Sequence, residues 1–501
     1  MADSILTRAR PLLVARLAGA VLALAVPMVL ARVLLPASYG TFKQAWLVSQ
    51  TVALMLPMGL TQSLYYFVPR EPRDRDRYVA QTVWAHLVLG LLSAGLVLAA
   101  RGNLARHFQN PELDALLGWV AAFTGLLVAG SPLDIAWNAS GRIGAAALAR
   151  LFTEVLRSLA LVAGAVATGG VRGAIVGMTL ATGARAVANV LLLARAHGGA
   201  GSAALLRRQI AYALPFGLAF LLVVPQQQFH QYAVSAAVSA AAFAVYSVGT
   251  FQLPVVDVLY SPVSELLQIG LADAEGVGLP RGAGLRLFHE AVSQLAFAFL
   301  PLAGLLLVVA PALIELVFSP RYLLAVPIFR LSVVPIVLAM LPLDGVMRAR
   351  AQNRFVLALS AAKLAATVPL VLGGLARGGP LGAFAGWIAA EGLARAAMLV
   401  RAAALFDAPL RRALPVRALA RLGGATAFAM PPAWVALHGV PGPLLARLAA
   451  SGLVFAAAYL GLSWARGWLP EGWVGLFRGR TAAPAVRAAA PRHPLPTASE
   501  P

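Results

Sequence analysis

The sequence predicts an all-α integral membrane protein with about 14 transmembrane helices. These form two six-helix bundles related by a pseudo-two-fold axis along the membrane normal, followed by two C-terminal helices. Three observations carry the prediction. Hydrophobic residues make up 60% of the 501 and charged residues only 12%, against about 25% charged in soluble domains. Apolar runs of spanning length, about 17–25 residues, recur along nearly the whole chain. Two short patterns also repeat, in the same order, at almost one offset.

The runs fall near 11–31, 43–67, 79–100, 115–137, 147–168 and 173–194, and then near 211–235, 243–264, 289–317, 327–347, 355–375 and 381–402. A last pair lies near 416–437 and 446–466. The N-terminal run follows a charged start, as a secretory signal would. It is about 20 residues long, Arg16 interrupts it, and no small-x-small site ends it, so it reads as the first span. The expected domains are a bundle over 1–198, a cytoplasmic linker over 199–210, a second bundle over 211–405 and extra helices over 406–468. The remaining 469–501, rich in Pro, Ala and Arg without apolar period, is expected to be a disordered cytoplasmic tail.

Lys and Arg bias the loops. With the N-terminus inside, inner segments carry 26 arginines, Arg142 and Arg150 among them, and outer segments carry nine basic residues, Lys43 among them. Both termini are therefore expected in the cytoplasm. The net charge of +21 suits loops facing anionic lipid; the arginines are scattered between apolar runs, which argues against a nucleic-acid partner. There is no cysteine, so a disulfide framework, a thiolate nucleophile and a sulfur metal site are excluded. No Ser/His/Asp constellation, phosphate-binding glycine loop or metal-ligand spacing is present. Neither a catalytic residue, a metal nor a cofactor is expected.

The repeat pairs SPLDIAWNASGR (131–142) with LPLDGVMRARAQNR (341–354), setting Pro132-Leu133-Asp134 on Pro342-Leu343-Asp344. It also pairs RGAIVGMTLATGARA with LGAFAGWIAAEGLARA, setting Gly173, Gly177 and Gly183 on Gly382, Gly386 and Gly392. Small residues four apart let helices approach closely in lipid. Six is an even number, so each copy starts and ends on one side. The halves are then related by an axis along the membrane normal, with a site between them, which is a transporter plan.

Three stretches carry a family resemblance: LARVLLPASYGTFKQAW (30–46), LLRRQIAYALPFG (205–217) and AAFAVYSV (241–248), the last a second-half counterpart of Tyr39 to Phe42. They resemble the polysaccharide-biosynthesis membrane proteins, the oligosaccharide-lipid flippases of the multidrug/oligosaccharidyl-lipid/polysaccharide (MOP) exporter superfamily. The resemblance implies a flippase of the bacterial cytoplasmic membrane. It would turn an undecaprenyl-pyrophosphate-linked glycan from inner to outer leaflet by alternating access, for O-antigen, capsule or exopolysaccharide synthesis. It implies that helix 1 lines the cavity, and that the partners are the lipid-linked glycan, membrane lipids and polysaccharide-assembly proteins. The alternatives are a cation-coupled multidrug exporter of the same superfamily and an integral-membrane glycan polymerase or ligase. The latter would need a long outer catalytic loop, and the longest expected one, around 101–114, is short.

Ionisable side chains at bilayer depth cost on the order of 2.5–3.5 kcal/mol and mark cavities or partners. Glu154 with Arg157, and Glu391 with Arg395, share a helical face and can neutralise each other. Asp134 and Asp344 each precede an arginine-bearing loop. Arg16 and Lys363 have no evident local partner, and with Arg185 they are candidates for the pyrophosphate, whose oxygens match cationic donors. For Arg16 the competing role is snorkelling to the headgroups. Asp134, Glu154, Asp257 and Glu391 are candidates for coupling to a proton or sodium gradient; membrane potential acting on the bound anion is the other source of drive.

The segment LVVPQQQFHQYAVSA (221–235) places a polar block inside an apolar run. Gln226 lies fifteen residues, about 22 Å, beyond Ala211, so the block is expected in the outer third of its span. Amides pair with sugar hydroxyls and rings stack on pyranose faces, which makes Gln227, His230, Gln231 and Tyr232 candidates for the glycan. An interfacial helix end is the competing reading.

Overall fold

The computed structural model describes residues 19, 21, 22, 24–197, 201–276, 282–470 and 473. Arg16 and the tail beyond residue 473 lie outside the described residues. Among the described residues every regular element is helical. The first half holds α1 (Leu24–Val33), α2 (Pro36–Met55), α3 (Leu64–Arg70), α4 (Arg75–Ala99), α5 (Arg101–Phe108), α6 (Pro111–Ala129), α7 (Pro132–Ala139), α8 (Ile143–Thr168) and α9 (Val171–Ala196). The second holds α10 (Ala203–Ala237), α11 (Ala240–Gly249), α12 (Pro254–Gly276), α13 (Ala283–Val317), α14 (Val326–Leu331), α15 (Val333–Leu338), α16 (Leu343–Ala349) and α17 (Asn353–Leu405). α18 (Val416–Gly439) and α19 (Leu444–Ala465) follow.

Ten helices among the described residues are long and apolar enough to cross a membrane, or eleven with one bent pair counted as a single span. The expected spans 355–375 and 381–402 both lie in α17, where Gly378 and Gly379 leave helical dihedrals just before Pro380. The expected span 243–264 is instead broken: α11 stops at Gly249 and α12 starts at Pro254, because the residue before a proline is pushed out of the α region. The bent pair is α2 with the segment Leu60–Arg70, turned by 40°. Its hinge follows Pro57, where Met58 and Gly59 take positive φ.

By contact the chain forms two compact units. The first collects Met1–Val255, Ala310–Ser332 and Leu357–Ala394; the second collects Val256–Val309, Val333–Val356 and Arg395–Pro501. The expected boundaries at 198, 210 and 405 describe repetition in sequence, whereas these units describe contact. In the second unit, Leu267, Leu271, Phe288 and Val292 pack with Leu343, Val346 and Met347.

The repeat is visible in the helix crossings of the first unit. A Cβ on Gly173 would lie 2.1 Å from the Gly164 carbonyl oxygen, and one on Gly177 would lie 2.2 Å from that of Ala160. In the second copy, a Cβ on Gly382 would lie 2.1 Å from the Gly374 oxygen and one on Gly386 2.1 Å from the Leu370 oxygen. Two of the three matched glycine pairs thus do the same work, letting backbones touch in a solvent that supplies no hydrophobic drive between helices. The third differs: Gly183 faces Leu126 at 3.3 Å, while Gly392 has open space. Leucine at Gly173 or Gly382 is therefore expected to destabilise by about 1–3 kcal/mol, whereas Gly392→Leu is expected to be neutral. Melting temperatures of the purified variants check this; equal shifts at all three positions would contradict it.

Candidate functional site

One face of α8 is polar where it should be greasy. Ile143, Ala147, Arg150, Leu151, Glu154, Arg157, Ser158 and Leu161 follow helical spacing and line one cavity of about 1100 Å³ within the first unit. The other walls come from Leu22, Val26 and Pro27, from Phe42, Lys43 and Trp46 of α2, and from Tyr65, Asn138 and Phe251. Three cations thus face the cavity beside Glu154.

Each charge is held differently. The Arg157 guanidinium donates to Glu154 and lies over the Trp46 ring, 5.4 Å from its centroid. Lys43 lies over the Tyr39 ring at 5.4 Å. Arg150 is exposed. Such charge at membrane depth is affordable only in a wet space or against a partner. The Phe42 and Trp46 rings, 6.1 Å apart, add flat apolar surface beside the charges.

Among the expected site residues, only Glu154 borders this cavity; Arg16 lies outside the described residues. Arg185 donates to Asp134 at 3.2 Å, and both side chains are largely buried. Asp134 precedes an arginine-bearing loop, yet its partner comes from α9. Lys363, expected to have no local partner, donates to Glu391. The two face each other from the flanks of the α17 kink, a proximity that hydropathy along the chain does not reveal. Arg395 donates to the carbonyls of Leu338 and Leu341 at 3.1 and 3.3 Å. Asp257 is exposed in the first turn of α12. No cluster of three or more metal-ligating side chains occurs among the described residues.

Sequence reasoning counted Lys43 and Arg150 with the loop charges, although they stand at the start of the runs 43–67 and 147–168, and missed both as cavity residues. α2 starts at Pro36 and α8 at Ile143, so each cation sits seven residues, about 10 Å, inside its helix. Proline at a first helical position was the available signal for α2.

The polar block of α10 is sorted by period four onto three faces. Gln226 and His230 turn one way: the Gln226 side-chain amide donates to the Ser360 carbonyl and the Gln226 backbone carbonyl accepts from Trp387 Nε1, both at 2.8 Å. His230 Nδ1 lies 2.5 Å from the Tyr246 hydroxyl, with Phe384 and Trp387 around its ring. Gln228 and Tyr232 turn another way, onto Thr51 of α2. Gln227 and Gln231 occupy the third face, Gln227 exposed and Gln231 half-buried. The block does not line the cavity. It ties α10 to α2, α11 and α17, because buried amides and hydroxyls require partners where water is scarce.

This seam continues where α2 meets α11. A Cβ on Gly40 would lie 1.8 Å from the Ala240 carbonyl oxygen. The Gln44 amide donates to Ser235 at 3.0 Å and accepts from Asn110 at 2.6 Å. Thr41 donates to Glu112 at 2.8 Å. Equivalent helix starts, at Tyr39 to Phe42 and at Phe243 to Tyr246, thus pack on each other.

At the arginine-rich end, Glu71 accepts from the Tyr78 hydroxyl at 2.8 Å and from Arg208 at 2.7 Å, linking α4 to α10. The Tyr78 hydroxyl and then the Arg208 guanidinium hold the Glu71 carboxyl below the ordinary carboxylate range. Its contribution is present at neutral pH and fades as pH falls through the lowered value. Melting temperature is expected to drop more steeply below about pH 4.3, the ordinary glutamate value, in the wild type than in Glu71→Gln. Parallel curves would contradict the link.

A family model described as Polysaccharide biosynthesis protein matches residues 29–327. No match is found among curated proteins. The fold is similar to that of the lipid II flippase MurJ in an inward-closed conformation, with a TM-score of 0.70 and 11% identity over 93% of this chain and 99% of that one. It is also similar to an inward-facing multidrug resistance MATE family transporter of the MOP superfamily, with a TM-score of 0.60 and 15% identity over 78% and 94%. A MOP superfamily transporter from Pyrococcus furiosus, described by a binding pocket of reverse polarity, gives 0.53 and 14% over 80% and 94%. These neighbours are transporters and flippases rather than catalysts. The chain belongs to the polysaccharide biosynthesis protein family and has the helical membrane fold of the MOP transporters.

Proposed function

We propose that this protein is a flippase for a lipid-linked oligosaccharide carrying a pyrophosphate, moving it from the inner to the outer leaflet by alternating access for surface polysaccharide synthesis. The observation that carries the reading is the cavity in which Lys43, Arg150 and Arg157 outnumber Glu154 beside the Trp46 ring. A pyrophosphate offers acceptor oxygens that guanidinium forks match in pairs. Arg150 has no ion pair to give up among the described residues, and Arg157 exchanges Glu154 for phosphate at little electrostatic cost. The released Glu154 is then free to take a proton or cation, which would couple binding to an ion gradient. Phe42 and Trp46 offer a face to the first sugar.

In this reading the seam from Gly40 to Gln226 is the outer gate in its closed state. Water can replace its hydrogen bonds between small polar groups as the gate opens, and the apolar cluster of Leu47, Val234, Phe243 and Tyr246 beside them would have to separate. Gln227 and Gln231, on the remaining face of α10, would meet the glycan once the seam parts. Similarity to multidrug transporters keeps a drug-export reading in view, and Glu154 is the feature that favours it. Three cations around one carboxylate repel a cationic drug.

Two measurements test this. In proteoliposomes, Arg150→Gln with Arg157→Gln is expected to lower translocation of a polyprenyl-pyrophosphate-linked glycan by about 10- to 100-fold, from charged hydrogen bonds worth about 1.5–3 kcal/mol; undiminished translocation, or efflux of a cationic dye instead, would sink the proposal. The chain has no cysteine, so single cysteines can be introduced on a clean background. With both termini cytoplasmic in the inner membrane, cysteines at Arg73 and Arg411 are expected to react only after the membrane is permeabilised, and one at Asn103 without it.

A further inference from the structure

A second concavity of the first unit lies away from the charged cavity and shares no lining residue with it. It is a groove of about 700 Å³ where the break between α2 and α3 indents the surface, walled by α4 and α10. Trp84, Ala85, Val88 and Leu89 line it from α4, and Leu206, Ile210, Ala213 and Leu214 from α10. Its walls are apolar and open outward: Trp84 is 67% exposed and Ile210 48%.

The groove has a length and a charged end. From Ala203 to Leu214 it runs eleven residues of α10, about 16 Å at 1.5 Å per residue, half of a hydrocarbon core of about 30 Å. Its volume falls within the range of about 300–1,000 Å³ for small-molecule clefts. It begins at the arginine-rich end. Arg207 is exposed and shares the groove face of α10, four residues after Ala203 and three before Ile210. Arg77 precedes Gln81 by one turn on α4, and exposed Arg73 stands just before that helix. The carboxylates there are engaged: Asp74 with Arg77, Asp76 with His197, and Glu71 with Arg208. Arg207 and Arg73 are therefore left without a carboxylate among the described residues, while Arg77 shares its charge with Asp74.

We propose that this groove holds one acyl chain of an anionic phospholipid, with Arg207, Arg77 and Arg73 at its phosphate. One-leaflet length suits a phospholipid tail, and separation from the charged cavity argues against the transported lipid as its occupant. The inference does not depend on the flippase reading.

Trp84 is a reporter inside the groove. The full chain and Trp84→Phe are reconstituted into vesicles containing phosphatidylglycerol or phosphatidylcholine brominated on the acyl chains, and the difference fluorescence isolates Trp84. Half-quenching is expected at several-fold lower mole fraction of phosphatidylglycerol than of phosphatidylcholine. Arg207→Gln is expected to cut that preference about five-fold, Arg207→Gln with Arg77→Gln to remove it, and 1 M salt to weaken it in the unaltered protein. Equal quenching by the two lipids would reduce the groove to ordinary lipid contact and overturn the proposal. So would a preference that survives both substitutions, or displacement by polyprenyl phosphate more readily than by unbrominated phosphatidylglycerol.

Discussion

Hydrocarbon offers no hydrogen bonds and no hydrophobic reward for helices that touch within it. Nearly everything distinctive in this protein answers that constraint. Helices meet through glycine, so that dispersion between backbones replaces the missing drive: Gly164 against Gly173, and Gly374 against Gly382. Polar groups find protein partners, as Gln226 does in a carbonyl of α17 and an indole, and His230 in a buried tyrosine. Where neither arrangement holds, there is a cavity.

That sorting separates two kinds of charge. Asp134 with Arg185, and Lys363 with Glu391, are paired and mostly buried. A buried pair of this kind is costly to break but weak evidence for stability, since desolvation offsets much of the attraction. Lys43, Arg150 and Arg157 sit differently, around a space large enough for a ligand headgroup. The first two pairs hold helices in register; in the cavity Arg157 is paired with Glu154, while Lys43 and Arg150 have no carboxylate partner among the described residues.

Duplication of the backbone has not been duplication of chemistry. The glycine crossings relate Gly164 to Gly374, which puts Ser360, Leu364 and Thr367 opposite Arg150, Glu154 and Arg157. The second copy is uncharged at these three positions, although Asp344 matches Asp134 elsewhere in the repeat. It contributes Gln226, Gln228 and Ser235 to a seam to which the first copy brings Gln44 and Thr51, and adds the Phe384–Trp387 stack, 5.6 Å between centroids.

Composition and period were enough for the solvent and the helical class, glycine spacing and short matches for the repeat, and the resemblance of three short stretches for the family, because all of these depend on local quantities. The ion pair of Glu154 with Arg157 was legible for the same reason, being three residues apart on one helix. Tertiary structure decided the rest. Lys43 and Arg150 became cavity residues only once α2 and α8 were seen to turn them toward one space, since the length of an apolar run does not say which face of the helix a charge near its start occupies. Lys363 found Glu391 only through the fold of α17 upon itself, and two faces of the glutamine block met neighbours that the sequence does not name: Gln226 and His230 on α17 and α11, and Gln228 and Tyr232 on α2. Which side of a helix meets water, lipid or protein is a property of packing, and packing is not written in the order of residues along one strand of chain.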